Sequence, residues 1–316
     1  WVGGDYEDRL AAAGATDVAY AWPTSWPVIY TSGTSGRPKG VVHGAMASPD
    51  VMEMTHDALA AMWTYGPDDV HLVAGPLYHA GPSGYSNLTL YVGGTVVIMD
   101  GWDPHEFLRA VETHRVTTTF LTPAHFIRFL EVPEQLRRRH DMSSLRHIIH
   151  AGAPCPATVK QRIIEALPHA AVWELYGMSE GGATRVSSDE WLERPGTVGR
   201  PWPGVEIRIV DPDTGEQLPA GCDGLIYVRP ARGRFRYHND DAKTDEAWSG
   251  DAFTVGDIGH LDEDGYLFLT DRRADMVIRN GVNIYPREIE EVLHQHAQVV
   301  DCAVFGIPDD RDGEHL

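Results

Sequence analysis

Residues 30–44 read YTSGTSGRPKGVVHG, and their chemistry points to an anion. Gly33, Gly36 and Gly40 let backbone N–H groups approach closely and converge. Thr31, Ser32, Thr34 and Ser35 add hydroxyl donors, and Lys39 adds a mobile positive charge suited to phosphate oxygens. The spacing is not that of a Walker loop, because Lys39 follows Pro38 and precedes Gly40. A flexible surface linker would share this composition. The flanks weigh toward phosphate: WPVIY reads as a buried strand, and an apolar-periodic segment after the loop gives a strand, anion loop and helix in sequence.

Two further stations carry polar groups of the same kind. ELYGMSEGG, residues 174–182, follows a predicted strand, the place where ligand sites of open α/β sheets lie. Tyr176 offers a flat face for a base, and Glu180 offers a hard oxygen of the kind Mg²⁺ prefers beside substrate phosphates. A strand end and a solvated glutamate would look the same. In the segment 256–293, Asp257 can accept two ribose hydroxyl hydrogen bonds, and Arg272 can hold the other side of a ribose or a phosphate. The plain reading of Asp271-Arg272-Arg273-Ala274-Asp275 is a charged connector.

The elements that must position these groups are legible as alternation. Between Val28 and Gly177 the runs VIYT, HLVAG, TVVIM, TTTFL, HIIHAG and AVWEL are separated by helical patterns such as DPHEFLRAVETHR and PATVKQRIIEALP. This predicts an α/β fold with a parallel sheet covered by helices. Beyond Gly196, VEIRIVD, GLIYVR and GYLFLT between turn signals predict a smaller β-rich region. Past Asp271 comes the start of a small α+β unit. It holds a hairpin around Asn280-Gly281, a helix from Pro286 through PREIEEVLHQH, and a strand at VVDCAVFGI.

Composition narrows the partners. The chain has 316 residues, enough for a large α/β domain and part of another, and 42% are hydrophobic. A formal net charge of −20 argues against a nucleic-acid partner or an anionic membrane surface. Three widely spaced cysteines, Cys155, Cys222 and Cys302, fit neither a disulfide framework nor a zinc site and suit a reducing cytoplasm. His294 and His296 stand two apart on a predicted helix, where side chains diverge, and read as surface residues. No apolar run approaches a membrane span, and the start of the sequence has no export signal.

The ordered set YTSGTSGRPKG, ELYGMSEGG, GDIGHLDEDG and DRRADMVIRNGVNIYPREIE resembles the adenylate-forming superfamily of acyl-CoA synthetases, luciferase-like enzymes and peptide-synthetase adenylation domains. The resemblance runs from about residue 28 to the end. It implies that Thr31, Ser32, Gly33, Thr34, Ser35, Gly36 and Lys39 embrace the β- and γ-phosphates of ATP. Tyr176, Asp257 and Arg272 would hold adenosine, with Gly177, Met178 and Ser179 beside them, while Gly152, Ala153 and Pro154 of AGAPCP would line the adenine pocket. Thr31 and Glu180 match the positions that help hold Mg²⁺, and Lys39 and Glu180 would be the catalytic pair. Tyr78, His79 and Met178 would face the acyl group, although His79 reads equally as a packed core histidine. Gly281 and Asn283 would meet coenzyme A, and Ala274 would be the hinge.

The reaction so implied joins a small-molecule carboxylic acid to ATP, giving an acyl-adenylate and pyrophosphate, and passes the acyl group to a thiol. NGVNIYPREIE resembles an AMP-forming acyl-CoA synthetase more than a peptide-synthetase domain, so coenzyme A is the expected acceptor. A carrier-loading adenylation domain and a non-catalytic nucleotide-binding relative are the alternatives. Two departures stand out. Ala274 replaces the family's usual hinge lysine or aspartate, and the chain's lysines are Lys39, Lys160 and Lys243, with none in the small domain. The expectation is a chain cut at both ends, with residues 1–273 in a partial large domain and 274–316 beginning the small one, and with adenylation impaired. The acid and the oligomeric state are not legible.

Overall fold

The computed structural model describes residues 6–12, 28–31, 38–44, 48–231, 233–279, 282–296, 298–309 and 313–316. Ile29–Thr31 (β1) and Lys39–Val42 (β2) pair antiparallel, with Thr31 opposite Lys39. This corrects two expectations. The glycine-rich segment does not lead from a buried strand into a helix; it joins two strands of a hairpin, and the next helix, Pro49–Trp63, starts only after β2. Nor is the first strand buried, since Val28 and Tyr30 are 46% and 60% exposed. One face of so short a strand meets solvent, and its burial comes through β2, where Val41 is fully buried.

Five of the six predicted runs form the parallel sheet, whereas VIYT supplies β1 of the separate hairpin sheet. Val70–Val73 (β3), Thr95–Ile98 (β4), Thr118–Leu121 (β5), His147–His150 (β6) and Ala171–Met178 (β7) lie in the order β4-β3-β5-β6-β7, every pair parallel. Adjacent strand residues point to opposite faces, and the core divides accordingly. Ile148 packs with Phe107, Phe126 and Ile163 from helices on one face, whereas Ile149 packs with Trp63, Tyr85 and Leu88 from helices on the other. The helix Pro104–His114 shows how local chemistry sets these elements. Asp103 accepts hydrogen bonds from the His105 and Glu106 amides, a proline opens the first turn, and Phe107, Leu108 and Val111 form the buried stripe.

After β7 the chain turns back at once into Gly181–Val186 (β8), which is antiparallel to β7. Thr197–Pro201 (β9), Glu206–Val210 (β10), Gly224–Arg229 (β11), Arg236–Tyr237 (β12), Trp248–Ser249 (β13), Ala252–Phe253 (β14), Asp257–Leu261 (β15) and Leu267–Arg272 (β16) make up the β-rich part. This part continues the same sheet through β8–β9 and β9–β16, while β12 leaves it to pair with β2. Ile207, Val228, Phe235, Phe253 and Leu267 form its core.

Val277–Arg279 (β17) and Val282–Ile284 (β18) make the expected hairpin, whose Asn280-Gly281 turn lies outside the described residues, and the helix Pro286–Leu293 follows. VVDCAVFGI is not the strand expected of it. Only Ile307–Asp309 (β19) is paired, with Gly313–His315 (β20). Side chains occupy two of the amides before it: Cys302 N donates to Asp301 Oδ1 and Val304 N to Glu290 Oε1. His294, expected on the surface, is also buried at its side chain, with Nε2 3.8 Å from Asp301. Among the described residues no helix is long and apolar enough to cross a membrane.

Candidate active site

Ser179 and Glu180 form the two-residue turn between β7 and β8, so Glu180 is presented at the tip of a hairpin and not in a strand-end loop. Gly177 and Gly182 face each other across it, and a Cβ on Gly177 would lie 3.1 Å from Gly182 Cα. Even alanine would push the two backbones apart. The turn is tied to the first hairpin through His43, whose Nε2 lies 2.8 Å from the Ser179 carbonyl oxygen.

Two of the sequence stations converge on Asp257. It is opposite Arg272 in the β15–β16 ladder, and Arg272 Nε lies 3.3 Å from Oδ1. Tyr176 donates its hydroxyl to Oδ2 at 2.6 Å, although 81 residues separate the two. Asp257 and Tyr176 are buried, while the Arg272 side chain is largely exposed. Burial, and after it the Asp257 charge, pushes the Tyr176 hydroxyl well above the ordinary tyrosine range, so it remains a donor. The arrangement is a carboxylate with one neutral and one cationic partner beside an aromatic ring. It can accept paired sugar hydroxyls once the tyrosine hydroxyl yields.

The second convergence is at Glu180. The carboxylate is buried, and its Oε1 accepts the Tyr237 hydroxyl at 2.7 Å. Lys39 lies over the face of the same ring, its Nζ 5.3 Å from the centroid. Sequence reading passed over Tyr237. The signal available was the alternation Arg234-Phe235-Arg236-Tyr237, which turns both aromatics to one face, and both are buried.

The donor set can be weighed against Mg²⁺. Among the described residues Glu180 has no cationic partner, and a buried carboxylate without one is costly. No group of three or more His, Cys, Asp or Glu gathers around a common centre among those residues. A single carboxylate is nonetheless what a Mg²⁺ ion held chiefly by substrate phosphates requires, and Thr31, the other expected ligand, ends β1 opposite Lys39. The residues fit such an ion.

The other predicted positions are distributed as follows. Ser32, Gly33, Thr34, Ser35, Gly36 and Gly281 lie outside the described residues. Gly152, Ala153 and Pro154 come one residue after β6, and Gly152 has φ +90°, a conformation that favours glycine. Tyr78 and His79 are exposed, their rings 4.5 Å apart at the start of the helix Ala80–Tyr91, so His79 is not the packed core histidine that was its other reading. Met178 packs against the core of the β-rich part. Ala274 is exposed in the turn after β16, and Asn283 lies opposite Ile278 in the β17–β18 ladder. A surface cleft of about 470 Å³ beside β4, lined by Val97, Trp102, Glu106 and His114 among others, takes in none of these residues.

Behind the site is a buried ion pair. Lys160 is fully buried, donates to Glu174 Oε2 at 2.6 Å, and lies 5.0 Å from the Trp191 ring centroid. Burial pulls the Lys160 ammonium below its ordinary range, against the pull of Glu174.

Comparisons with known proteins identify the family. The model of the AMP-binding enzyme family matches residues 16–233, and that of the AMP-binding enzyme C-terminal domain matches residues 288–316. A feruloyl-CoA synthase of Amycolatopsis sp is 36% identical over 96% of this chain and 62% of its own length. Among solved structures, the amide bond synthetase McbA of Marinactinospora thermotolerans superposes with a TM-score of 0.80 at 34% identity, covering 92% of this chain and 58% of that one. The o-succinylbenzoate CoA synthetase of Bacillus subtilis, in complex with its acyl-adenylate intermediate, gives a TM-score of 0.80 at 26% identity over 97% of this chain and 62% of that one. The chain thus spans about six-tenths of the length of these relatives. Matched over more than half its residues by the family model, it belongs to the AMP-binding enzyme family.

Proposed function

We propose that the protein bearing this chain is an AMP-forming carboxylic acid:CoA ligase. The carrying observation is the Tyr176–Asp257–Arg272 cluster, drawn from distant segments into one place, with Tyr237 and Lys39 of the separate β1-β2-β12 sheet meeting at Glu180 in the β7–β8 turn. A nucleoside and a triphosphate need such a pair of sites. The comparisons with a feruloyl-CoA synthase and with an acyl-adenylate complex support the same reading.

In the proposed reaction a carboxylate oxygen attacks the α-phosphorus of ATP, the α–β bridging bond breaks, and pyrophosphate leaves. The thiol sulfur of coenzyme A then attacks the acyl carbon, its proton passes to solvent, and AMP departs. Bringing anions together is the main barrier, so positioning and charge neutralisation dominate. Asp257 takes the ribose hydroxyls, the Tyr176 ring supports the base, Arg272 closes the sugar side, and Lys39 meets the β- and γ-phosphates. Gly152–Pro154 border the adenine, and Tyr78, His79 and Met178 border the acid. Gly281 and Asn283 are assigned to the coenzyme. Glu180 and Thr31 would hold Mg²⁺, which when bound would supply neutralisation of phosphate charge.

We place the boundary between the large and small domains at Arg273–Ala274, in the turn after β16. ATP and coenzyme A as substrates and three free cysteines, Cys155, Cys222 and Cys302, suit a reducing, cytoplasmic setting. The acid is a fatty or related carboxylic acid. Carboxylate-dependent ATP–pyrophosphate exchange, run on the full-length protein with fatty, aromatic and steroid-like acids, tests the first half, and CoA thioester formation tests the second. Nucleotide binding without acid-dependent pyrophosphate release would overturn the ligase reading in favour of a non-catalytic relative. Transfer only to a carrier protein would replace the acceptor.

A further inference from the structure

Tyr237 has the environment of a residue with a task. Its backbone is fixed from two sides: it lies opposite Val41 in the β12–β2 ladder, and its N–H donates to Thr244 Oγ1 at 2.9 Å. The next amide, His238 N, donates to Gly40 O at 2.7 Å. Its ring packs edge-on against Phe235 with centroids 5.3 Å apart, and the residue is 5% exposed. From this seat it touches two charged groups at once. The hydroxyl donates to Glu180 Oε1, and the ring face receives the Lys39 ammonium.

Lys39 and Glu180 both contact one ring, yet among the described residues they form no ion pair with each other. A direct pair would spend both charges on one another. Separated by the ring, the ammonium keeps its N–H donors and the carboxylate keeps Oε2 for outside ligands. We propose that Tyr237 is a positioning residue that aims the Glu180 carboxylate at a divalent cation and holds Lys39 apart from it for the nucleotide phosphates. This rests on the reading that Glu180 and Lys39 face the triphosphate.

The test uses the full-length protein and binding as well as turnover. Affinity for Mn·ATP is measured by electron paramagnetic resonance, and affinity for metal-free ATP by calorimetry in chelator. Tyr237→Phe keeps the ring and removes the hydroxyl. It is expected to weaken Mn·ATP roughly tenfold, the worth of a hydrogen bond to a charged group, and to leave metal-free ATP within about twofold. The Mg²⁺ concentration for half-maximal pyrophosphate release should rise in step. Tyr237→Leu removes the ring as well, and metal-free ATP should then weaken several-fold, because Lys39 falls onto Glu180.

A merely structural tyrosine is separated by a double-mutant cycle: in a Glu180→Gln background, Tyr237→Phe should cost nothing further in Mn·ATP affinity. Wild-type Mn·ATP affinity in Tyr237→Phe overturns the proposal, as does an equal loss in both backgrounds. If the wild type binds Mn·ATP but releases no pyrophosphate with any acid, the ligase reading falls while the binding cycle still decides the role of Tyr237. If the wild type binds no ATP, both fall.

Discussion

The Tyr176 hydroxyl donates to Asp257 Oδ2 at 2.6 Å, closing a contact between two strands that lie far apart in the sheet. Arg272 meets the other carboxylate oxygen, so both oxygens are engaged before any sugar arrives. A nucleoside must therefore displace or share the tyrosine bond. Tyr176→Phe, which frees Oδ2 and keeps the ring, should change AMP affinity by less than about threefold, whereas Asp257→Ala should lower it at least roughly tenfold. Calorimetric titration with AMP measures both, and equal losses would remove Asp257 from the sugar site.

Among the described residues Glu180 has a hydroxyl partner and no cationic one, and it is buried. Glu180→Gln keeps the shape and the bond from Tyr237 but removes the charge. Pyrophosphate release should drop roughly a hundredfold, the scale of losing one charge-stabilising group, with little change in melting temperature. Unchanged release at saturating Mg²⁺ would dismiss its metal role.

Away from the site, Asp69 binds Arg146 at 2.6 Å, the Thr117 hydroxyl at 2.6 Å and the Gly66 amide at 2.8 Å. Burial alone would raise its pKa, but the Arg146 guanidinium and the two other donors win and hold it below the ordinary value of 3.8. The stability it contributes is present above that value and is lost as pH falls through the lower, folded pKa. Asp69→Asn should cost about 3 kcal/mol near neutrality, since it leaves Arg146 uncompensated, and the penalty should shrink below pH 3.8. Urea midpoints against pH will show it, and a penalty independent of pH would refute the assignment.

Histidine burial predicts acid lability. Desolvation lowers His71, His125 and His147 to about 4 from an ordinary 6.5, and His150 lies well below 6.5. The folded state keeps these rings neutral while the unfolded chain protonates them, so stability declines as pH falls from 6.5 toward 4. Unfolding at pH 5 should take up roughly three to four protons at these sites, read from calorimetry in buffers of different ionisation enthalpy. An uptake near zero would mean that the rings are charged in the fold.

The Lys160–Glu174 pair predicts a sign reversal. Lys160→Met alone strands a buried carboxylate and should destabilise the protein by roughly 3–5 kcal/mol. Lys160→Met with Glu174→Leu should recover most of that loss, because replacing a buried pair by apolar groups is often neutral. Additive losses in thermal unfolding would show that the two side chains act independently.

Much of this architecture was legible from local chemistry. Asp103-Pro104 announces a helix start, the apolar runs at 70–73, 118–121 and 147–150 announce buried parallel strands, and Asn280-Gly281 announces a hairpin. What failed was long-range. Nothing in YTSGTSGRPKG says that its second flank pairs with Arg236–Tyr237, nor that Tyr237 will meet Glu180, 57 residues earlier. VVDCAVFGI has strand propensity, but propensity supplies no neighbour, and side chains of Asp301 and Glu290 took its amides first. Of the residues named from motifs, Tyr176, Asp257 and Arg272 meet in one cluster and Lys39 and Glu180 in another; the tyrosine that joins the second was invisible, because its neighbours exist only in the fold.

The two-residue turn at Ser179-Glu180 has a consequence for loop length. Surface connections usually absorb insertions cheaply. Here one extra residue would demand either a bulge or a one-residue slip of β8, and the slip would exchange its faces and unpick Thr184 from Pro201 and Arg185 from Arg200. β8 also links the parallel and antiparallel halves of the sheet, so the slip would travel from the Glu180 tip into the strands that carry Asp257 and Arg272. Sequence drift can change what this turn is made of far more readily than how many residues it contains.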